Sequence, residues 1–247
     1  MSKFHWSLII FLLLELGLWI MVARGMSSYA SPFILIFVYS LFLFAMSMMP
    51  GVNFFVKAQN HVASDRVMLT FDDGPHPELT PLTLDILKEK QVKAMFFLIG
   101  KNVEAHPELV KRIIAEGHMV GGHTYLHEPA FGFKFGSALD KDIMRAQNLL
   151  TDLSGKEEVY FRPPFGVTNP NVAQVIKKRG LQMIGWSLRT YDTAYDFDSL
   201  KVQKVITQTK PGDIVLMHER VKSTCEALPE LIDGIRKRGM EFGVLSQ

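Results

Sequence analysis

Val67-Met68-Leu69-Thr70-Phe71-Asp72-Asp73-Gly74-Pro75 is an apolar run that ends in two adjacent carboxylates and a turn pair. The run is short and β-rich, so 67–71 reads as a buried strand, and Gly74-Pro75 stops it. By itself Asp-Asp-Gly-Pro is turn chemistry, because each of these residue types favours turns. Two carboxylates side by side after a buried strand also repel each other unless a cation lies near them. What decides between turn and site is the company the rest of the chain brings.

Beyond Pro75, short β-rich runs alternate with helical ones. Strands are expected at 94–99, 119–122, 159–162, 182–188, 213–217 and 242–245. Helices are expected at 79–90, 107–116, 138–153, 171–179, 200–209 and 225–238. In the second of these helices Leu109, Val110, Ile113 and Ile114 share one face, and Gly117 stops it. Alternation of this kind means parallel strands with helices outside. About seven strands in ~185 residues is small for a full eightfold barrel, which takes ~250. The α/β fold expected is therefore a compact, incomplete (β/α) barrel.

The polar residues fall in a pattern. Asp72 and Asp73 follow the first strand, His123 and His127 the third, and Arg162 ends the fourth. Asp192 lies just past the fifth strand and His218 ends the sixth. In barrel enzymes the C-terminal ends of the strands carry the active site. Each residue has a bland reading alone: His218 as a core histidine, Arg162 as a surface arginine, His61 and His118 as structural or exposed. Their joint appearance on one face makes the bland reading poor. An H-x-x-x-H pair reaches one metal from a turn or a helix face. One carboxylate with two imidazoles makes an open metal site. A second carboxylate can serve as base and a histidine across the site as acid. The reaction class is metal-assisted hydrolysis of an amide or ester. The residues alone leave open which carboxylate takes which part.

Before the first strand lie two apolar runs, 4–23 with the single ionisable residue Glu15, and 32–49 with none. A spanning helix needs about 20 mainly apolar residues. Arg24, Gly25, Ser27, Ser28 and Ser31 form a short turn between the runs, and Pro50-Gly51 ends the second. Trp6, Trp19, Tyr29 and Phe33 lie near the ends, where interfacial aromatics gather. The first run is longer than the 7–15 apolar residues of a signal peptide, so an uncleaved hairpin of two transmembrane helices is expected. Residues 1–60 then form a membrane anchor, with 51–64 a short tether, and 61–247 the catalytic domain. Glu15 is expected to face the second helix or a partner protein. The charge bias of Lys3, Arg24, Lys57 and Arg66 is too thin to set orientation. A hairpin keeps both ends on one side, and with Arg24 cytoplasmic the domain lies outside.

With 27 Lys and Arg against 25 Asp and Glu, the net charge is +2 and nothing points to nucleic acid as a partner. The single cysteine, Cys225, forms no intrachain disulfide and reads as a buried thiol on a helix.

Four segments, taken in order, resemble a known family. They are Thr70-Phe71-Asp72-Asp73-Gly74-Pro75, His123-Thr124-Tyr125-Leu126-His127, Arg162-Pro163-Pro164-Phe165-Gly166 and Leu216-Met217-His218. Together they look like the signature motifs of the polysaccharide deacetylases (carbohydrate esterase family four), over roughly 67–245. The resemblance implies a distorted, incomplete (β/α) barrel. It implies a divalent metal, zinc with cobalt or nickel as alternatives, held by Asp73, His123 and His127. It makes Asp72 the general base, oriented by Arg162, and His218 the general acid, oriented by Asp192. The backbone N–H of Phe165 would stabilise the oxyanion, and Leu216 would line the pocket for the acetyl methyl.

There are departures. Phe165 stands where the family usually has Tyr, and Gly122 where an Asn is common. The family often shows Asp-x-x-Asp-Trp, whereas here Arg189 replaces the first Asp and Thr193 the Trp, with Asp192 kept. The wall of the sugar pocket must therefore differ.

The expected activity is metal-dependent removal of N-acetyl groups from an amino-sugar polymer such as peptidoglycan or chitin-like oligomers, outside the cytoplasm. The expected partners are that N-acetylated polysaccharide and membrane lipid. Hydrolysis of a small non-sugar amide and a catalytically silent sugar-binding protein are the competing readings. A phosphatase is disfavoured, because no glycine-rich phosphate loop follows a strand.

Overall fold

The computed structural model describes residues 2–63 and 65–245, so the expected end of the tether at Ser64 lies outside the described residues. Two helices come first, α1 (Lys3–Ala23) and α2 (Ala30–Ser47), both long and apolar enough to cross a membrane. At 1.5 Å per residue they span about 31 and 27 Å, close to the ~30 Å hydrocarbon core. They lie against each other with Phe11 stacked on Tyr39 at 4.1 Å. Most of their surface is bare, but Glu15 is buried.

The alternating part follows: β1 (Met68–Gly74), α3 (Leu79–Glu89), β2 (Met95–Leu98), α4 (Gly100–Ala105), α5 (Pro107–Ala115), β3 (Met119–Gly122), α6 (Gly136–Ser154) and β4 (Tyr160–Phe161). Then come α7 (Pro170–Lys178), β5 (Gln182–Met183), β6 (Leu188–Arg189), α8 (Ser199–Gln208), β7 (Ile214–His218) and α9 (Lys222–Lys237). All strand pairs are parallel, in the order β5-β4-β3-β2-β1-β7-β6. The sheet curls into the incomplete barrel expected.

The strands read as continuous apolar runs because both faces are covered. On β1, Leu69 and Phe71 face the outer helices, in the core that includes Leu84, Val110, Val205 and Leu231. Met68 faces the interior with Met95, Phe97 and Ile214. A period of two then gives the inward series Met68, Thr70, Asp72 on β1 and Ile214, Leu216, His218 on β7. Both run from apolar at the bottom to ionisable at the mouth.

Three elements differ from expectation. The run 182–188 is two strands on opposite edges of the sheet. Ile184 still belongs to the ladder of β4, its N–H donating to the Phe161 carbonyl at 3.0 Å, whereas the Ser187 N–H already donates to the Ile214 carbonyl at 3.0 Å. The chain thus crosses the open seam of the barrel, and Gln59 fills the gap by pairing with Ile184. The expected last strand at 242–245 is only one isolated bridge, Phe242 with Val67. The short helix α4 was not foreseen. Residues 54–62, expected as tether, are packed: Phe54, Phe55, Ala58 and Val62 are buried.

Candidate active site

Neighbouring residues of a regular strand point to opposite faces, so Asp72 and Asp73 should diverge. They do not, because β1 bulges between them. Asp72 pairs with Phe97 and Gly74 with Leu98, and Asp73 is skipped, at a φ of 73°. The bulge turns both carboxylates into one pocket, where both are buried. Thr124, His127 and Phe165 also hold positive φ angles, of 61°, 51° and 58°. Backbone of this kind in residues other than glycine persists where the surrounding structure enforces it, and it gathers at functional sites.

The Asp73, His123 and His127 ligand atoms lie within 4.8 Å of one another. His127 Nε2 is 3.2 Å and His123 Nε2 3.6 Å from Asp73 Oδ1. His123 Nδ1 lies 2.7 Å from the Arg162 carbonyl. A carbonyl only accepts, so Nδ1 carries a proton and Nε2 is the ring nitrogen turned toward Asp73. Burial, with the nearby His123, pushes His127 down to about 4, which keeps its imidazole neutral and free to ligate. Burial works against the charge of Asp73, but His123, Arg220, His127 and His218 outweigh it and hold the carboxyl below its usual range. Arg220 Nε donates to Asp73 Oδ2 at 2.6 Å, leaving Oδ1 toward the histidines. Two imidazoles and a carboxylate whose ligand atoms converge in this way fit a divalent metal of the zinc type.

Arg162, fully buried, crosses the barrel interior from β4 to β1. Its Nη1 donates to Asp72 Oδ1 at 2.7 Å and to Thr70 Oγ1 at 2.9 Å. Nη2 and Nε donate to the carbonyls of Gly185 at 2.7 Å and Ile184 at 3.1 Å. Its guanidinium lies 4.0 Å from the centre of the Phe97 ring. The expected surface alternative for Arg162 is thereby excluded.

Asp72 and His218 are register partners on adjacent strands. Asp192 Oδ1 lies 2.8 Å from His218 Nδ1, and Asp192 Oδ2 accepts from the His218 N–H at 2.8 Å and the Thr224 hydroxyl at 2.7 Å. Burial disfavours the imidazolium, yet the bond to Asp192 and the charges of Asp192, Asp72 and Asp73 hold His218 above its ordinary value. Asp192 itself is held low despite its burial, chiefly by His218. Leu216, Phe165, Gly166, Trp186, Arg189 and Thr193 complete the lining of a pocket of about 100 Å3.

Three residues were missed by the sequence reading. Arg220 is one. Asp142 on α6 is another: its Oδ1 accepts from the N–H groups of Tyr125 at 3.2 Å and Leu126 at 3.1 Å, inside the H-x-x-x-H loop. Its signal was a carboxylate on the buried face of a helix, beside Leu139, Ile143 and Ala146. Glu219 is the third. Burial pushes its carboxyl up to about 8, Thr80 donates to its Oε1, and its Oε2 has no hydrogen-bond partner.

Residues 59–184 match the profile of a family described as polysaccharide deacetylase. The chain is 37% identical over 182 residues to the peptidoglycan-N-acetylglucosamine deacetylase PgdA of Listeria monocytogenes, covering 74% of this chain but only 38% of that protein. A peptidoglycan-N-acetylglucosamine deacetylase of Bacillus cereus is 35% identical over 186 residues, with 73% of this chain and 86% of the relative covered. Among solved structures, the polysaccharide deacetylase Bc1974 from Bacillus cereus superposes with a TM-score of 0.68 at 32% identity, covering 74% of this chain and 93% of that one.

Proposed function

Because the chain belongs to the polysaccharide deacetylase family, we propose that it hydrolyses N-acetyl groups from an amino-sugar glycan of the peptidoglycan class. The observation that carries the reading is the convergence of two separately braced pairs, Arg162 with Asp72 and Asp192 with His218, on one pocket beside the Asp73, His123 and His127 cluster.

In this mechanism the acetamide enters with its methyl against Leu216. Asp73, His123 and His127 would hold a divalent ion, zinc or else cobalt or nickel, which would supply Lewis acidity toward the carbonyl oxygen. Asp72, fixed by Arg162, accepts the proton of the attacking water. The N–H of Phe165 donates to the oxyanion as charge develops. His218, kept protonated by Asp192, gives its proton to the departing amine. Acetate and a free amino sugar result.

On this reading α1 and α2 anchor the domain, Arg24 faces the cytoplasm, and the domain, to which Ala58 and Gln59 also belong, works outside it. The test is acetate release by the full chain in detergent, from N-acetylglucosamine oligomers and from peptidoglycan, with zinc or cobalt. Release should require both the metal and Asp73, and vanish in Asp73→Ala. Metal bound at the site with no acetate from any glycan would overturn the reading.

A further inference from the structure

The catalytic pocket is tied to the membrane helix α2. The Thr168 N–H, two residues past Gly166 of the pocket, donates to the Ser47 carbonyl at the end of α2 at 2.9 Å. A Cβ on Gly166 would lie 3.1 Å from Pro50 Cγ. Two openings adjoin the pocket, and both lead to this helix. One is a cleft of about 720 Å3 that shares Trp186 and Arg189 with the pocket and ends at Met48, Pro50 and Gly51. The other is a groove of about 540 Å3 that shares Phe165 with the pocket and has Leu43, Phe44 and Met48 of α2 and its end as one wall. Phe133, 81% exposed, also lines the groove.

The two openings differ in chemistry. The groove lining is almost wholly apolar. The cleft contains Arg189, Lys201 and Lys204 and no carboxylate. Lys201 is held by Asp198 at 3.1 Å. Among the described residues the Lys204 side chain has no hydrogen bond or ion pair, and the Arg189 side chain has only the Tyr191 ring, 5.1 Å away. Cations without counter-charges, placed where a spanning helix ends, suit an anionic group at the lipid–water boundary.

We propose that this site takes its N-acetylated sugar while the sugar is still joined, through phosphate or diphosphate, to a lipid in the membrane. The phosphate lies in the cleft against Arg189 and Lys204, and the start of the lipid chain lies against Leu43, Phe44 and Phe133. The proposal rests on the deacetylase reading and narrows its substrate. The reaction is unchanged: water adds to the acetyl carbon, the C–N bond breaks, and acetate leaves a free amine on the lipid-linked sugar. A glycan strand fixed in a wall would have to reach down to the membrane surface. A lipid-linked sugar is already confined there, at a raised effective concentration.

The test uses the full chain in phosphatidylcholine vesicles with zinc, and three substrates built from N-acetylglucosamine. They are farnesyl-diphospho-N-acetylglucosamine, dodecyl N-acetylglucosaminide and soluble tri-N-acetylglucosamine. The first should exceed the other two in kcat/KM by about tenfold or more, and Lys204→Ala should cut its advantage over the alkyl glycoside about fivefold. Equal rates on the first two overturn the phosphate contact, and equal rates on all three overturn the lipid-linked substrate altogether. A uniform loss in Lys204→Ala assigns the cleft to general stability and also overturns the proposal. No acetate from any of the three, with metal bound, sinks the deacetylase reading itself.

Discussion

Asp192 bonds to both the ring and the backbone N–H of His218, so it sets the proton-donating nitrogen and raises its affinity for the proton. An acid of this kind is lost as pH rises through its raised value. Asp192→Asn should lower kcat by about 10²-fold and move the alkaline limb of the pH–rate profile to lower pH. A profile that keeps its limb would remove His218 from the role of acid. Arg162→Met leaves Asp72 buried without its partner, which should cost about 3–5 kcal/mol in denaturant unfolding. His118 makes a separate prediction. It is buried, accepts from the Ala94 N–H at 3.1 Å, and is pushed down to about 4 from the ordinary 6.5 by burial. Between those values the unfolded chain binds the extra proton, so stability rises with pH there and is lost toward acid. The change amounts to about 3 kcal/mol. His118→Asn keeps an acceptor for Ala94 and should flatten that part of the stability curve.

Gly122 ends β3, and a Cβ there would overlap Oε1 of Gln147 on α6. Gln147 Nε2 donates to the carbonyls of Glu158 at 2.7 Å and Tyr160 at 3.3 Å, so the side chain is fixed in that space. This accounts for glycine where the family pattern often has Asn. Gly122→Ala should destabilise the domain by about 1–3 kcal/mol, and Gln147→Ala in the same chain should recover part of the loss, as a double-mutant cycle would reveal. The strand ends of the site were legible in the sequence because inward positions on β1 and β7 change from apolar to ionisable at the mouth. The helices were legible from their apolar spacing. The bulge at Asp73 was not, since nothing in Asp-Asp-Gly marks which residue the ladder skips. Nor was the division of 182–188, because one β-rich run conceals a change of neighbour halfway along it. Arg220 and Glu219 escaped because their partners, Asp73 and Thr80, lie more than a hundred residues away in the chain.

At the scale of the whole molecule, the segment that follows α2 is part of the domain. Ala58 belongs to the core around Phe161 and Val172, and Gln59 closes the seam against Ile184. A chain starting at Val62 should therefore melt about 5–10 °C below one starting at Asn53, as thermal unfolding followed by circular dichroism would measure. The sheet order carries one more consequence, for the time course of folding. The seam between β5 and β6 is crossed by residues 184–187, whereas β1, an interior strand of the sheet, reaches its β7 neighbour across 145 residues, as in the bond from Thr70 Oγ1 to the Val215 carbonyl. Closing a long loop costs more entropy than closing a short one, and non-local pairing slows folding. During synthesis from the N-terminus, α1 and α2 are complete long before β7 exists. Until then β1 keeps one flank unpaired, and only once β7 has been made can the pocket that the two strands share come into being.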